Sequence, residues 1–516
     1  MGKKSGKVFL TGAGPGDPGL ITVRARELLE KADAVVYDYL VHPGLLDCCR
    51  SDCEKIYVGK KAGFHSVPQA EIEHILVKKA KAGMEVVRLK GGDPFIYGRG
   101  GEEALTLARD GIAFEIVPGI TAAVAASCYA GIPLTHRNTS SSVIFLTGHE
   151  DPEKKKLAVN WRDFAQLDAT LCIYMGMGRL KEIVSELLAG GMKPGTPAAV
   201  VQWASLPRQR SLISSVGNLI DEVAERDLTA PAIVMIGEVA EGMEALRWFE
   251  NRPLFGRRVV VTRNREQAGA LREKLEALGA EVLEIPLVEV SEDRHPETAD
   301  DVFSEFWSFE WIVFSSANGV RYFFDEFFRR FSDIRSIGGI RFAVIGAATA
   351  REIESHRIAV ELVAEESTAE GLAKALVATE SLDNAKVLVV TGNRNRKVLV
   401  ESLQNAMAIV DELPVYKTEL ASLGDNPVVK DFRENGADLI VFTSSSAVAS
   451  FVAQAKSLKL APNTVPPKAA SLGPITSEKL KGQGISVAVE ATEQNLDSLV
   501  EGIVGFFQPK PELPPS

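Results

Sequence analysis

The sequence has little of what marks a metal-binding, membrane-spanning or nucleic-acid-binding protein. It contains only five cysteines in 516 residues. Three of them cluster at Cys48, Cys49 and Cys53, but no C-x-x-C spacing and no second group of ligands accompanies them. We therefore expect reduced structural thiols and no metal site. No apolar run reaches the ~18 residues of a membrane span. The net charge of -11 disfavours a general nucleic-acid binder.

The amino terminus also lacks the pattern of a secretory signal, because its basic residues are not followed by an apolar segment and a cleavage site. We therefore expect a cytoplasmic protein with no membrane or nucleic-acid partner. Hydrophobic residues at 46% and charged residues at 25% are ordinary values for a globular protein. The length predicts about two to four domains.

The first apolar run ends in a glycine loop that lacks the spacing of a dinucleotide site. Residues 12–19 read G-A-G-P-G-D-P-G, whereas a dinucleotide fingerprint needs G-x-G-x-x-G with its third glycine facing a helix. The third glycine comes one residue early, two prolines stiffen the loop, and Asp17 puts an acid where a pyrophosphate would lie. The loop therefore suits a ligand that approaches the backbone closely without being a pyrophosphate, which disfavours an NAD-dependent oxidoreductase.

Strands and helices alternate along the first half. Thr22 is placed to cap the first helix, whose apolar residues recur at helical spacing. Alternation of this kind predicts an α/β fold with a mostly parallel sheet. The predicted strands lie at residues 7–10, 34–37, 56–58, 85–89 and 114–117.

Proline and glycine between two apolar runs predict a domain boundary near residue 250. We expect a first domain over residues 1–248, a linker over 249–256 and a second domain over 257–507. The proline-rich residues 508–516 are predicted to be disordered.

The second half contains an internal repeat. Residues 312–316 (I-V-F-S-S) recur at 440–444 as I-V-F-T-S, roughly 128 residues later. This period is too long for a solenoid and predicts two similar α/β lobes. The apolar segments 282–290 and 412–420, each with a central proline, also match each other. Because proline suits edge or connecting strands, we expect these segments to link the lobes.

The unusual residues of the first half follow its predicted strands. Ligands of open α/β sheets bind beyond the carboxyl ends of the strands, so these loops predict a shared crevice. Backbone at the glycines could approach a flat ligand closely, and Asp93 could accept hydrogen bonds from ribose or amine groups. Asp38 and Lys60 could move a proton in a reaction or form a surface ion pair. The loops are the glycine loop, Asp38, Gly59-Lys60-Lys61, Gly91-Gly92-Asp93-Pro94 and Pro118–Ala122.

The strand ends of the second half carry hydroxyl and amide residues. Helix N-termini at such ends bind carboxylates through backbone N–H groups. A single serine there would be explained as an N-cap, but the set predicts a cleft between two lobes that holds a polyanion. No nucleophile–base dyad is evident, so catalysis there would depend mainly on holding the substrate in shape. The residues are Ser315, Ser316, Asn318, Thr391, Thr443, Ser444, Ser445 and Thr476, with Arg263, Arg265, Arg394 and Arg396 nearby.

Five segments of the first half resemble uroporphyrinogen-III C-methyltransferase in order and spacing: GAGPGDPGLIT, VVYDYLV, VGKKAGFHSVPQ, LKGGDPFIYGRGGEE and VPGITAAVAASCYAGIPLTHR. That family uses S-adenosyl-L-methionine to methylate uroporphyrinogen III twice, giving precorrin-2. The resemblance implies a two-lobed tetrapyrrole methylase fold, a homodimer through this half, Asp38 as proton acceptor and Lys60 as proton donor. It implies a cofactor site formed by Pro15, Gly91, Gly92, Asp93, Ile96, Thr121, Ala122, Met175 and Ala204.

The sequence departs from that family at one point. Where the family usually has glycine in a stretch like E-N-G-T, this chain has Gln202-Trp203-Ala204-Ser205, so Ala204 adds a methyl group beside the adenosine pocket. The polycarboxylate substrate also needs local cations, because the long-range field of an acidic chain repels it. We expect these partners to include Lys61, Arg88, Lys90, Arg99 and Arg137.

The second half looks like uroporphyrinogen-III synthase, on the segments FSSANGV, FTSSSAV, SLGPITSEKL, PLVEV and PVYKTEL. That family cyclises hydroxymethylbilane with inversion of the last pyrrole ring. The resemblance implies a two-lobed α/β fold with linking strands, its lobes formed by 257–290 plus 421–507 and by 291–413. It implies that Tyr416 assists loss of the hydroxyl. The predicted substrate-binding residues are Arg263, Ser315, Ser316, Asn318, Thr391, Thr443, Ser444 and Thr476.

One alternative keeps the methylase fold but changes both activities. The first half would methylate a later corrin intermediate, and the second half would be a non-catalytic tetrapyrrole-binding module.

Overall fold

The computed structural model describes residues 6–59, 67–148, 159–242, 244–262, 265–366, 368–379, 381–393, 397–424 and 426–508, except the side chains of 265–268. Across these ranges, no helix combines the length and the apolar character needed to cross a membrane. The predicted disordered tail lies outside the described residues except for Gln508.

A five-stranded parallel sheet forms the first lobe. Its strands are β1 (Lys7–Gly12), β2 (Ala34–Tyr37), β3 (Glu54–Tyr57), β4 (Val86–Lys90) and β5 (Ala113–Val117). Their spatial order is β3-β2-β4-β1-β5, and every pairing is parallel. The predicted strands are thus confirmed within a few residues at each end. The helices of this region are α1 (Val23–Lys31), α2 (Gln69–Lys81), α3 (Gly100–Arg109) and α4 (Ala122–Ala130).

Both faces of this sheet are buried, as is usual for parallel sheets. Phe9 and Val87 face the cluster that includes α1, whereas Val8 and Leu10 face the cluster that includes α2 and α3. The predicted cap of α1 is confirmed, because the Thr22 hydroxyl accepts a hydrogen bond from the Ala25 N–H at 3.2 Å. Helix α1 therefore begins after the residue predicted to cap it, and its predicted apolar face is the one that is buried.

The second lobe of the first half has a mixed sheet, so the expectation of a mostly parallel sheet is wrong there. Its strands are β6 (Val143–Thr147), β7 (Thr170–Tyr174), β8 (Pro197–Gln202), β9 (Arg210–Ser215) and β10 (Ala232–Ile236), with helices α5 (Trp161–Phe164), α6 (Leu180–Ala189) and α7 (Leu219–Glu225). In the order β6-β7-β10-β8-β9, only β6 and β7 are parallel. The short loop between β8 and β9 has no helix, and such a connection suits antiparallel neighbours.

The second half contains two further sheets. Its elements are β11 (Arg258–Val261), α8 (Arg265–Ala277), β12 (Glu281–Glu284), β13 (Val288–Glu292), α9 (Pro296–Ser304), β14 (Trp311–Phe314), α10 (Ala317–Arg330), β15 (Arg341–Val344), α11 (Ala347–Ser355), β16 (Leu362–Val363), α12 (Ala369–Thr379), β17 (Lys386–Gly392), α13 (Val398–Asn405), β18 (Ile409–Leu420), α14 (Pro427–Asn435), β19 (Leu439–Phe442), α15 (Ser445–Ala453), β20 (Lys468–Ser471), α16 (Pro474–Gly482), β21 (Val487–Glu490) and α17 (Leu496–Phe507). One sheet has the order β12-β11-β19-β20-β21 and the other β13-β18-β17-β14-β15-β16. The expected two-lobed α/β fold is confirmed, and the lobe that contains β11 is discontinuous in sequence. The likeness of the two lobes and their limits at residues 290, 291, 413 and 421 stay predictions.

The linking segments are also confirmed. β13 pairs antiparallel with β18, from Val288 opposite Leu420 to Glu292 opposite Tyr416. Pro414 lies outside this paired stretch, on a part of β18 that pairs only with β17. Since proline has no N–H to give to a second neighbour, this one-sided position suits it.

The chain divides into two compact units. One comprises Met1–Val259, Arg272–Val282 and Ile503–Ser516, and the other comprises Val260–Leu271 and Leu283–Gly502. This division runs through the first lobe of the second half, so the domain limits at residues 248 and 257 stay predictions.

A cluster of phenylalanines packs on one face of the six-stranded sheet that contains β14 and β17. Phe306, Phe323 and Phe327 are fully buried, and their ring centroids lie 5.8 to 6.4 Å apart. Rings of this size contribute a large buried apolar area.

Truncating a central ring should be costly. Phe323→Ala leaves a cavity, and we expect it to lower the free energy of unfolding by about 3–5 kcal/mol, measured by chemical denaturation. Phe328 lies on the same helix but is 45% exposed, so Phe328→Ala is the matched control and should cost about 1 kcal/mol or less. Equal losses in the two variants would contradict this account of the cluster.

Candidate functional site

Three strand ends of the first lobe meet backbone to backbone. The loop after β1 bridges the loop after β4, with Gly14 N–H to Gly92 O at 3.2 Å and Gly92 N–H to Gly14 O at 2.7 Å. A Cβ on Gly12 would lie 2.5 Å from the Gly119 nitrogen, after β5. No side chain fits at Gly12 or Gly119, because a Cβ on Gly119 would also lie 2.2 Å from the Gly92 oxygen. Gly14 and Gly92 adopt φ of +77° and +69°, which favours glycine.

Asp93 organises this edge. Its carboxylate accepts hydrogen bonds from the N–H groups of Phe95 at 2.8 Å, Ile96 at 3.2 Å and Gly119 at 3.0 Å. Sequence reasoning gave Asp93 a role in contacting a ligand. In the structure, its oxygens fix the loop after β4 and join it to the loop after β5.

Hydroxyl and aromatic side chains from both lobes of the first half form a wall, with Tyr174 at the end of β7 meeting Thr121 and Tyr97 from the loops after β5 and β4. The Thr121 hydroxyl lies 2.7 Å from the Tyr174 hydroxyl, which also accepts the Ala123 N–H at 3.1 Å. Tyr97 lies against Tyr174 with ring centroids 5.0 Å apart. Met175 follows Tyr174 with a φ of +53° and is 49% exposed. A half-exposed thioether on a strained turn is available to an apolar ligand.

The predicted cofactor residues fall on neighbouring loops. A Cβ on Gly92 would lie 3.7 Å from the Ala122 nitrogen and 3.8 Å from the Thr121 Cα, which is ordinary contact. A Cβ on Gly91 would lie 2.6 Å from the Leu40 Cβ. The loops after β1, β4 and β5 thus share one edge, and Pro15 follows the bridged Gly14.

The departure at Gln202-Trp203-Ala204-Ser205 is accommodated locally. Ala204 packs against the apolar cluster beneath α4, so its extra methyl group has neighbours of its own. The Trp203 ring carries the Arg208 guanidinium 3.9 Å from its centroid. Trp203 and Ser205 both adopt positive φ, at +51° and +68°.

Asp38 lies where predicted, directly after β2. One carboxylate oxygen accepts the Leu40 N–H at 3.1 Å, and the other lies 3.4 Å from an Arg88 nitrogen. Its side chain keeps 23% exposure. A carboxylate held on one side and open on the other is suited to accept a proton from a ligand.

Arg88 and Lys90 form a buried cluster behind Asp38. Both are at most 5% exposed, and Glu103 between them is fully buried. One oxygen of Glu103 lies 2.8 Å from the Lys90 ammonium and 3.4 Å from Arg88, and Gln69 donates to the same oxygen. Burial, followed by repulsion from Arg88, lowers the pKa of Lys90. The sequence predicts these two cations as local partners of substrate carboxylates. In the structure Arg88 contacts Asp38 and both cations contact Glu103, and their contact with substrate stays a prediction.

Sequence reasoning missed two phenols beside Asp38. Burial raises the pKa of Tyr57 and of Tyr39, and the Asp38 carboxylate raises both further. Gly59 permits this arrangement, since a Cβ there would lie 2.5 Å from the Tyr57 hydroxyl. Tyr57 ends β3 and Tyr39 lies two residues after the end of β2, so tyrosines at two adjacent strand ends were the available signal.

The remaining predicted residues of the first half divide into two groups. Lys60 and Lys61 lie outside the described residues. Arg99 and Arg137 lie at the surface, and Arg99 is bound to Glu102 at 2.6 Å.

Tyr416 in the second half is held on three sides. The Ser316 hydroxyl donates to the Tyr416 hydroxyl at 3.0 Å and accepts the Gly319 N–H at 3.1 Å, so Ser316 also caps α10. The Tyr322 ring stacks on Tyr416 at 6.3 Å. A Cβ on Gly392 would lie 2.5 Å from the Tyr416 ring, so only glycine leaves space for the phenol there.

The other lobe presents a similar strand end. Ser444 caps α15 by accepting the Ala447 N–H at 3.2 Å. Thr443 has a buried hydroxyl with no hydrogen-bond partner among the described residues. The other predicted residues divide between the lobes, and Arg263, Arg394, Arg396 and the Arg265 side chain lie outside the described part. Ser315 directly follows β14, and Asn318 lies in the first turn of α10. Thr391 is the next-to-last residue of β17, and Thr476 lies in the first turn of α16.

The cysteines are all free thiols. Burial raises the pKa of Cys49 to about 12, which keeps this thiol protonated near neutral pH. Within the described ranges, no group of three or more His, Cys, Asp or Glu side chains is arranged to hold a metal ion.

Comparison with known proteins assigns each half. Residues 7–220 match the family model of tetrapyrrole (corrin/porphyrin) methylases, and residues 269–501 match that of uroporphyrinogen-III synthase HemD. The porphyrin biosynthesis protein HemD of Ruminiclostridium josui is 37% identical over 97% of this chain and 98% of its own length. The uroporphyrinogen-III C-methyltransferase of Bacillus subtilis is 39% identical over 65% of this chain and 68% of its own length.

A solved structure also resembles the first half. The uroporphyrin-III C-methyltransferase of Thermus thermophilus, complexed with S-adenosyl homocysteine, is 40% identical over 45% of this chain and 93% of that one, with a TM-score of 0.39.

The family models and the full-length relative define a two-part α/β enzyme of tetrapyrrole biosynthesis, a methylase followed by a synthase. The chain belongs to the family of fused uroporphyrinogen-III C-methyltransferases and uroporphyrinogen-III synthases.

The buried cluster makes a stability prediction. Glu103→Gln removes the anion that balances two buried cations, and we expect it to cost about 3–5 kcal/mol of unfolding free energy, measured by denaturant titration. Glu102→Gln breaks the neighbouring surface pair with Arg99 and serves as the control, with an expected cost of about 0–1 kcal/mol. A loss below 1 kcal/mol for Glu103→Gln would refute the account of the cluster.

Proposed function

We propose that the chain cyclises hydroxymethylbilane to uroporphyrinogen III in its second half and methylates that product twice in its first half, giving precorrin-2. The observation that carries this proposal is that glycine backbones cross beyond the carboxyl ends of β1, β4 and β5. Asp38 follows the neighbouring strand β2, and its side chain is 23% exposed. A flat ligand can approach such backbone closely, and the Asp38 carboxylate is available as a base.

The methyl donor is S-adenosyl-L-methionine, and the residues present fit it. The edge offers glycine backbone at Gly92, a hydroxyl at Thr121 and exposed apolar side chains at Ile96 and Met175. When bound, this cofactor supplies an electrophilic methyl group on sulfur. It carries no phosphate, which agrees with the acid at Asp17 in the glycine loop.

Asp38 is proposed to accept the proton released from the macrocycle. Arg88 holds one of its oxygens at 3.4 Å, so the carboxylate keeps a fixed direction while its exposed side faces solvent. The cluster of Arg88, Lys90 and Glu103 thereby acts as a positioning layer. Lys60 is proposed as the proton donor, on the family resemblance alone.

Tyr416 is proposed to assist departure of the substrate hydroxyl in the second half. Its phenol accepts a hydrogen bond from Ser316, so its own proton remains free for an acceptor. The N-termini of α10 and α15 face carboxylates in this proposal, through N–H groups that carry no net charge of their own. A homodimer through the first half and a cytoplasmic location complete the proposal.

The test is chromatographic separation of the isomers, followed by mass analysis, of the products formed from hydroxymethylbilane with and without S-adenosyl-L-methionine. We expect uroporphyrinogen III without the cofactor, and a gain of two methyl groups with it. Mixed isomers without methyl gain would sink the proposal. Activity on a later corrin intermediate but not on uroporphyrinogen III would favour the alternative methylase.

Removing the base should separate the two activities. Asp38→Asn keeps the shape of the side chain but lowers its basicity, and we expect methyl transfer to fall by about 10²–10⁴-fold. Turnover of hydroxymethylbilane should stay within twofold, which also serves as the control for folding. Methylation at the wild-type rate would remove Asp38 from the mechanism.

The phenol of the second half gives the converse prediction. We expect Tyr416→Phe to slow enzymatic cyclisation by about 10²-fold or more, measured as the yield of isomer III against spontaneous isomer I. Methylation of added uroporphyrinogen III should be unchanged. Cyclisation at the wild-type rate would show that the Tyr416 hydroxyl is dispensable.

A further inference from the structure

A buried polar network connects the cofactor loop with the segment that follows the methylase sheet. It begins at Asp17, whose carboxylate accepts hydrogen bonds from the Tyr129 hydroxyl at 2.7 Å and from the Gly19 N–H at 2.8 Å. The Asp17 N–H donates to the Ser205 hydroxyl at 3.0 Å. A Cβ on Gly16 would lie 2.9 Å from the Leu206 side chain, so the loop is held closely against the β8–β9 connection.

Gln209 forms the centre of the network. It is 3% exposed, and its carbonyl oxygen accepts the Ser205 N–H at 3.0 Å. Its amide donates to the Tyr129 backbone oxygen at 3.1 Å and to the Glu250 carboxylate at 2.9 Å. One buried amide therefore joins the residues that hold Asp17 to the residue that follows Phe249.

The segment 248–250 is fastened by packing as well as by hydrogen bonds. The Phe249 ring is 2% exposed and meets the Tyr129 ring edge-on at 4.6 Å. Glu250 also accepts the Ser211 hydroxyl at 2.5 Å and lies 3.5 Å from an Arg247 nitrogen. Its carboxylate is thus an acceptor that the buried Gln209 and Ser211 both require.

We infer that Glu250 and Tyr129 are positioning residues for the cofactor loop, so that the segment leading into the second half of the chain sets the affinity of the first half for its methyl donor. The inference rests on the proposed function, in which the glycine loop forms part of the cofactor site. It explains why the loop carries an acid at Asp17: the carboxylate faces Tyr129 and anchors the loop from behind.

The experiment measures the Kd of S-adenosyl homocysteine by calorimetry on the full chain. Glu250→Ala and Tyr129→Phe should each raise this Kd about fivefold or more, a change on the order of one hydrogen bond to a charged group. Glu250→Gln keeps an acceptor oxygen and should restore most of the affinity. Glu244→Ala, which breaks an exposed pair with Arg247 on the same segment, is the matched control and should leave the Kd within twofold.

A double-mutant cycle tests the connection itself. If the network transmits the effect, the combined variant Glu250→Ala/Tyr129→Phe should raise the Kd by less than the product of the single effects. Unchanged Kd values in both single variants would overturn the inference, and so would a parallel fall in hydroxymethylbilane turnover, which reports on folding of the same chain.

Hydrogen exchange separates failure of this inference from failure of the proposed function. Without any ligand, amides of residues 14–19 should exchange several-fold faster in Glu250→Ala than in Glu244→Ala. If the wild type does not bind S-adenosyl homocysteine but the exchange difference is present, the assigned cofactor is wrong and the positioning role stands. Equal exchange in the two variants overturns the positioning role.

Discussion

Backbone contact among glycines is the constraint on which the first half depends. The loops after β1, β4 and β5 cross at distances that no side chain permits, and the Gly14–Gly92 bridge fixes two of them as if the sheet continued past its edge. Asp93 then joins the third loop through the Gly119 N–H. The loops at this edge therefore hold one another by backbone hydrogen bonds beyond the carboxyl ends of the strands. A site formed by loops fixed in this way has a lower ordering cost on binding a ligand.

Strand periodicity predicted the frame of this site but not its buried charges. Arg88 and Lys90 were interpreted from the sequence as local partners for substrate carboxylates. They are two residues apart on β4, so their side chains share one face of a strand that lies between β2 and β1. Since both faces of a central parallel strand are covered, a cation pair there requires a buried anion, and Glu103 on α3 supplies it. That requirement was visible in the sequence, but the identity of the anion depended on tertiary packing.

The partners of Asp17 in the glycine loop also depend on tertiary packing. The sequence argument placed the Asp17 carboxylate where a pyrophosphate would lie, and gave the residue no partner. Its partners are Tyr129 and Ser205, more than a hundred residues away. Spacing rules describe neighbours along one element and say nothing about such distant partners. For the same reason the sequence identified the glycine loop but not the network that holds it.

The repeat in the second half shows how similar lobes acquire different chemistry. Ser316 and Ser444, roughly 128 residues apart, cap equivalent helices, so each lobe presents N–H groups at its strand ends. The same offset from Tyr416 leads to Val288, which has no hydroxyl. Each lobe thus presents backbone N–H groups at a helix capped by serine, and in one of them the Tyr416 phenol lies beside the capping Ser316. Under the proposed function, a substrate held by both lobes would meet the Tyr416 phenol at one end. This asymmetry suits a reaction that treats one terminal ring differently from the others.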